Sequence, residues 1–181
     1  MLGAVSGGVK DARDAPRVRE VVRYPDAVLK LPASEIAPGP WARALCDDMV
    51  ATMRASPACV GIAAPQVGVP VRAFVLDVTG HRKAVSCVGL VVLLNPVIET
   101  TEGRDVAREG CMSLPEYTGN VGRAAWVRVR GVTPEGEERV VEADAFEARA
   151  LQHEIDHLDG LLFLDRISSV SNDLFHRKRY R

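Results

Sequence analysis

The sequence has no excess of charge of either sign, because 23 Lys and Arg residues are matched by 24 Asp and Glu residues among 181 residues. Proteins that bind nucleic acid or membrane surfaces usually show a basic composition or a basic segment of marked size. The overall charge therefore names no partner, and we expect neither DNA nor a membrane to be one.

A long apolar run is also missing. The longest apolar stretch, residues 84–96, is interrupted by Ser86 and Asn95 and is shorter than the roughly 20 apolar residues that a membrane-spanning helix needs. Residues 1–17 lack the apolar block of a secretory signal and contain Asp11 and Asp14, which disfavour a transit peptide. We expect no membrane span and no leader, with residues 1–17 as a flexible tail.

Paired cysteines are absent as well. Cys46, Cys59, Cys87 and Cys111 include no C-x-x-C spacing, which favours reduced thiols and a cytoplasmic location. We expect the first three to be buried small hydrophobic residues.

What is present is enough apolar sequence for one domain, since 47% of the residues are hydrophobic and no internal repeat divides the chain. Leu45, Met49 and Met53 recur every four residues and predict a helix over residues 41–54. Short β-branched runs and alternating apolar and polar residues predict strands at 71–78 and 85–97 and a hairpin of 126–130 with 139–143.

The last strong element is a helix that begins at Asp144, a good N-cap with Glu147 three residues later, and ends at Gly160. Strands followed by a helix favour an α+β fold. We expect mainly antiparallel β-sheets packed around this central helix, together with the N-terminal helix.

The central helix carries the string His153, Glu154, Ile155, Asp156, His157, which is an HExxH motif. Two histidines four residues apart lie one turn from each other and can bind one divalent metal. The intervening Glu154 is placed to take a proton from a water that the metal acidifies. The motif is typical of metallohydrolases.

A catalytic metal needs a third protein ligand. No Glu follows Glu154, which excludes the ligand of the gluzincin proteases, and no third His follows Gly160 as in the metzincins. The ligand must come from upstream, and Cys111 is the best candidate because a thiolate is a strong metal ligand.

Three segments now resemble the three signature motifs of the peptide deformylases: residues 59–68 (CVGIAAPQVG), 109–115 (EGCMSLP) and 152–160 (QHEIDHLDG). Their order and approximate spacing also match, and the similarity extends from about residue 22 to about residue 167. We therefore expect a deformylase domain over residues 18–170, preceded by the tail 1–17 and followed by a basic tail over 171–181.

The resemblance implies removal of the formyl group from the N-terminal formyl-methionine of nascent polypeptides, with release of formate. It implies that Cys111, His153 and His157 bind one divalent metal per chain, expected to be Fe²⁺, with Zn²⁺, Ni²⁺ or Co²⁺ as possible substitutes. Glu154 would be the general base and acid. Gln66 and the backbone N–H of Met112 would stabilise the oxyanion.

The substrate would be an N-formylmethionyl peptide or nascent chain. Val60, Phe146 and Ala150 are the candidates for the methionine pocket, and Gly61 would allow the peptide backbone to approach as an added strand. The family pattern also implies a supporting ion pair between Glu109 and Arg123.

Two positions depart from the family pattern, because Cys59 and Met112 stand where Gly and Leu are frequent. Neither is a metal ligand, and we expect activity to survive both. His81 and His176 have no partner at ligand spacing, so we expect them at the surface. The basic run 176–181 is either a solvated end or a weak, salt-sensitive contact with ribosomal RNA.

Two other functions share the central helix. A zincin-type metallopeptidase would cleave unformylated peptides internally, and it would have no use for Gln66 and Cys111 in their motifs. A silent metal-binding module would need a closed coordination shell or lack Glu154.

Overall fold

A computed structural model of the chain describes residues 15–177. The predicted N-terminal tail therefore lies almost wholly outside the described residues, as do residues 178–181. Residues 15–177 form three α-helices, α1 Pro40–Ala55, α2 Ala145–Leu158 and α3 Val170–Asp173, and three short 3-10 helices, Ala27–Lys30, Ala64–Val67 and Phe163–Asp165. They also form eight strands, β1 Gly61–Ala63, β2 Ala73–Leu76, β3 Val91–Glu102, β4 Asp105–Cys111, β5 Leu114–Arg123, β6 Trp126–Val132, β7 Glu138–Asp144 and β8 Leu174–His176.

The strands form two sheets. A five-stranded sheet has the order β1-β2-β3-β6-β7, and a three-stranded sheet has the order β4-β5-β8. Every pairing within the two sheets is antiparallel. The α+β fold predicted from the sequence is confirmed.

The larger sheet is covered by a helix on each face. All four residues of β2 are fully buried, which a strand achieves only when both faces are covered. Phe74 and Leu76 pack with Leu151 and Ile155 of α2, while Val75 packs on the other face with the residues of α1. The prediction that the sheets pack around the helix with the HExxH motif is confirmed.

The smaller sheet brings the cysteine segment to α2. Its β4 and β5 form a hairpin that turns at residues 112–113, directly after Cys111. Leu162 and Phe163, which follow α2, pack against this hairpin in a separate core cluster. The hairpin therefore presents Cys111 to the helix.

Some local predictions were wrong. The strand predicted to begin at residue 85 begins at Val91, and residues 77–90 form a loop. Cys87 lies exposed in this loop and Cys59 is only partly buried, so Cys46 alone of the three is a buried small residue.

The predicted helix cap of α2 also differs, because its acidic side chains bind the loop instead. Asp144 is the N-cap residue but its side chain makes no capping bond. Its Oδ1 accepts from the backbone N–H of Ser86 at 3.0 Å, and Glu147 accepts from the Ser86 hydroxyl at 2.7 Å and the Val88 N–H at 3.0 Å. These bonds fasten residues 86–88 to the start of α2.

In residues 15–177, no helix is both long and apolar enough to span a membrane. The chain end is part of the fold up to residue 177, because β8 pairs with β5 and the N–H of Arg177 donates to the carbonyl of Glu116 at 2.8 Å.

Candidate active site

Helix α2 and the β4–β5 hairpin bring three potential metal ligands together. His153 and His157 are one turn apart on α2, and Cys111 is the last residue of β4. Ligand atoms of Cys111, His153 and His157 all lie within 4.8 Å of one another, and Cys111 Sγ is 3.2 Å from His157 Nε2.

This geometry fits a tetrahedral metal ion. An ion about 2.3 Å from sulfur and about 2.0 Å from nitrogen separates those two ligand atoms by roughly 3.5 Å. The set also leaves one position of a tetrahedron open, as catalytic metal sites do. One thiolate and two imidazoles suit Zn²⁺ and the similar first-row ions.

Charge in the cluster favours a thiolate ligand. Burial opposes ionisation of Cys111, but His157 and His153 outweigh burial and lower the pKa of Cys111 well below its usual value. Burial likewise opposes the charged form of His153, and the pKa of that ring is nevertheless raised by Cys111 and Glu109. A divalent ion would replace the positive charge that the histidines supply to the sulfur.

Glu109 fixes the orientation of His153. Its Oε2 lies 2.9 Å from Nδ1 of His153, which leaves Nε2 of the ring for the metal. Arg123 donates to both oxygens of Glu109, at 2.8 and 2.9 Å, and Arg149 donates to Oε1 at 2.8 Å. Burial would raise the pKa of Glu109, but Arg123 and His153 lower it far below its usual value. Glu109 therefore stays a carboxylate.

The same network continues through Asp156, which is not among the site residues predicted from the sequence. Arg123 Nη1 donates to Asp156 Oδ2 at 2.5 Å, and Arg166 donates to both Asp156 oxygens at 3.1 and 2.6 Å. Asp156 and Arg149 are buried on the same helix as the HExxH motif. Charged residues on the buried face of that helix were the signal that could have revealed them.

Glu154 lies deep in the site with one oxygen unsatisfied. Its side chain is buried and Oε2 has no hydrogen-bond partner in residues 15–177. Burial raises the pKa of Glu154 to about 7, against the opposing effect of His153 and His157. A carboxyl group with this pKa both accepts and returns a proton near neutral pH.

Gln66 faces the cysteine from the other side. Its Oε1 accepts from the backbone N–H of Ala63 at 2.9 Å, and this bond identifies the amide nitrogen as the atom that points inwards. That nitrogen donates to Cys111 Sγ at 3.4 Å and to Ser113 Oγ at 3.2 Å. A hydrogen-bond donor is therefore held beside the metal ligands.

A cavity of about 360 Å³ opens onto these groups. It is lined by all of the predicted pocket residues, Val60, Gly61, Phe146 and Ala150, and by Gln66, Met112, Cys111, His153 and Glu154. Glu109 also lines the cavity, whereas Arg123 lies behind the site.

Two further lining residues depart from the expectations. His81 is half-buried and stacks on Phe146, with ring centroids 3.9 Å apart and planes 7° from parallel. Cys59 donates its thiol to the carbonyl of Gly61 at 3.1 Å, and burial, followed by Glu154, raises its pKa to about 12. The Cys59 thiol is therefore neutral near neutral pH.

Known proteins resemble this chain over most of its length. The family model described as polypeptide deformylase matches residues 18–173. A peptide deformylase of Thermodesulfovibrio yellowstonii is 43% identical over 162 residues, covering 89% of this chain and 96% of the relative. One of Halothermothrix orenii is 47% identical over 130 residues, covering 72% and 80%.

Solved structures agree. The crystal structure of peptide deformylase from Thermotoga maritima superposes with a TM-score of 0.76 at 34% identity, covering 84% of this chain and 99% of that one. A class I type b peptide deformylase from Acinetobacter baumannii with Met-Ala-Ser bound gives 0.75 at 35% identity, covering 83% and 98%.

Proposed function

The chain belongs to the polypeptide deformylase family, and we propose that its cavity binds the formyl-methionyl end of a nascent polypeptide. The protein removes the N-formyl group and releases formate and a free amino terminus. We assign the reaction to this cavity because Cys111, His153 and His157 are grouped there beside Glu154 and Gln66.

Cys111, His153 and His157 hold one divalent metal, and we propose Fe²⁺ as the ion, with Zn²⁺, Ni²⁺ or Co²⁺ as substitutes. When bound, the metal supplies a Lewis acid that polarises the formyl carbonyl and acidifies a water. Glu109 keeps the His153 ring in place for this purpose, because it is itself held by Arg123 and Arg149.

Glu154 moves the proton. It accepts a proton from the attacking water and delivers it to the nitrogen of the leaving amine, which departs as the free N-terminus. Its unsatisfied Oε2 and its pKa of about 7 support this role.

Gln66 and the backbone N–H of Met112 stabilise the oxygen of the formyl group as negative charge develops there. The inward direction of the Gln66 amide supports its part. Met112 lies at the turn of the hairpin and lines the same cavity, which supports the second donor.

The methionine side chain occupies the apolar part of the cavity, formed by Val60, Phe146 and Ala150 with His81 stacked on Phe146. The peptide backbone adds as a strand beside β1, which is an edge strand of its sheet and begins at Gly61. Main-chain pairing of this kind accepts many sequences after methionine.

We place the reaction in the cytoplasm, where cysteines stay reduced, because the four cysteines are free in the structure. The basic residues 177–181 make a weak contact with ribosomal RNA. Deleting these residues should reduce co-sedimentation of the protein with ribosomes at low salt. Unchanged co-sedimentation would contradict the proposed contact.

The substrate class is tested by incubating the anaerobically purified, Fe²⁺-loaded protein with formyl-Met-Ala-Ser, acetyl-Met-Ala-Ser and an unformylated ten-residue peptide. Formate release from the first, with the other two left intact by mass spectrometry, is expected. Internal cleavage of the unformylated peptide without formate release would favour the metallopeptidase.

A further inference from the structure

The entrance of the cavity is lined by positive charges. Four of its lining residues, Arg82, Lys83, Arg108 and Arg177, are exposed and basic. The acidic lining residues are Glu109 and Glu154, which are only 7% and 4% exposed and lie inside. The mouth is thus positive although the chain as a whole has a formal net charge of -1.

Exposed arginines elsewhere on this protein are commonly neutralised. Arg128 pairs with Glu99 and Glu142, and Arg166 pairs with Asp156. Within residues 15–177, in contrast, none of the four basic residues at the mouth forms an ion pair. Their charges are available to an arriving ligand.

The Arg108 guanidinium is positioned by neutral groups. Its Nε donates to Asn120 Oδ1 at 3.1 Å, its Nη1 donates to Thr118 Oγ1 at 3.3 Å, and its central carbon lies 3.6 Å from the ring centroid of Phe175 on β8. These contacts use only part of the five N–H donors of an arginine. The rest remain for a ligand.

Arg177 stands next to the metal segment. It follows β8, and a Cβ built on Gly110 would clash with its Nη2, so the guanidinium lies against the residue that precedes Cys111. Arg177 therefore places a cation beside Gly110, the neighbour of the proposed metal ligand Cys111.

Arg82 and Lys83 lie in a turn that is attached to α2. The N–H of Ala84 donates to the carbonyl of His81 at 2.9 Å, which makes Arg82 and Lys83 the central residues of a β-turn. The stacking of His81 on Phe146 attaches this turn to α2.

We propose that these four residues form a basic rim that, among the many sequences accepted, favours formylated peptides carrying carboxylate side chains in the residues after methionine. The inference rests on the proposed function, since the formyl end reaches the metal site only if the following residues pass through the mouth. A cleft lined by one sign of charge attracts the opposite charge on its ligand.

The test compares kcat/KM for formyl-Met-Ala-Glu-amide and its neutral counterpart formyl-Met-Ala-Gln-amide. At about 10 mM ionic strength, where the screening length is roughly 30 Å, the Glu peptide is expected to be better by about fivefold, the scale of one or two exposed ion pairs. At about 1 M, where the screening length is roughly 3 Å, the ratio should fall towards one.

The double variant Arg108→Gln/Arg177→Gln removes two of the four charges and should lower the Glu-to-Gln ratio to about twofold at low salt. Arg128→Gln, outside the cavity, should leave the ratio as in the wild type. A wild-type ratio near one, or an unchanged ratio in the double variant, would overturn the proposal.

The free acid formyl-Met-Ala-Gln is the third substrate, and its kcat/KM is compared with that of the two amides. An advantage seen only with this terminal carboxylate also overturns the proposal, because a nascent chain has no free carboxyl end at that position. Absence of formate from every peptide would instead refute the proposed function.

Discussion

At Gly61 the backbone lies directly against the carboxylate of Glu154. A Cβ at this position would sit 2.6 Å from Glu154 Oε1, closer than real Cβ contacts come. The absence of a side chain at Gly61 thus sets where the Glu154 carboxylate, the proposed proton-transferring group, lies.

We predict that Gly61→Ala lowers kcat by about 10- to 100-fold, because displacing a catalytic group by a fraction of an ångström to an ångström has effects of this size. Steady-state kinetics with formyl-Met-Ala-Ser gives the value. Metal content and thermal unfolding should match the wild type, since the flexible carboxylate gives way and not the backbone. A rise in KM with kcat unchanged would contradict this role.

Single residues differed in how far the sequence could identify them. Cys111, His153, Glu154 and Gln66 stand in motifs, so their types and order carried information. His81 and Arg177 belong to no motif. They reach the cavity because the loop 77–90 and the segment after β8 fold against it. Local sequence patterns do not encode such contacts.

Among the elements, α2 and the β4–β5 hairpin are joined by buried charges. Arg123 on β5 bridges Glu109 on β4 and Asp156 on α2, and all three are buried. This bridge holds the two elements that carry the proposed metal ligands.

Arg123→Ala is predicted to reduce the free energy of unfolding by about 3 kcal/mol, the low end for breaking a buried ion pair, because Arg149 and Arg166 still contact the two carboxylates. Urea denaturation measures the loss. The matched variant Arg128→Ala removes an exposed arginine with two ion pairs and should cost less than about 1 kcal/mol. Equal losses of unfolding free energy in the two variants would show that the buried ion pairs of Arg123 stabilise the fold no more than the exposed ones of Arg128.

The loop before β3 is a second element with a structural role at the site. It was expected to be partly strand, because its apolar residues 88–92 continue into β3 without a break. Its course is set instead by bonds to Asp144 and Glu147. Sequence periodicity predicted α1 and the β6–β7 hairpin well, because each has one buried face. Helix α2 is buried nearly all round, and it was located by Asp144 before it and Gly160 after it. The glycine-rich and polar β4–β5 hairpin has no such pattern and was missed.

Replacing His81 with Ala should raise KM for formyl-Met-Ala-Ser by about 3- to 10-fold, since the stacked ring shields Phe146 and such ring pairs contribute about 0.5–1.5 kcal/mol. His176→Ala is the control, because His176 contacts Tyr117, which does not line the cavity. Equal KM values in the two variants would show that His81 does not contribute to binding of the methionine side chain.

At the scale of the whole molecule, the proposed metal ligands come from β4 of the three-stranded sheet and from α2, which packs on the five-stranded sheet, so a bound metal would link the smaller sheet to this helix. A ligand that binds only the folded state stabilises it by about 2.7 kcal/mol at a hundredfold excess over its Kd. For a chain of this size, that corresponds to roughly 5–10 °C in the unfolding midpoint.

We therefore predict that adding Ni²⁺ to the metal-free protein raises Tm by this amount and that Cys111→Ala abolishes most of the rise. Differential scanning calorimetry gives both values. A rise of the same size in Cys111→Ala would mean that the ion binds elsewhere.

The most direct test of the site is formate release from formyl-Met-Ala-Ser measured together with metal content in the Fe²⁺-loaded wild type, Glu154→Gln and Cys111→Ala. We predict that Glu154→Gln keeps one metal per chain and loses about 10²- to 10⁴-fold in kcat, the usual contribution of a general base. Cys111→Ala should lose both metal and activity. Wild-type rates in Glu154→Gln, or a full complement of metal and activity in Cys111→Ala, would contradict the assignment of the reaction to these residues.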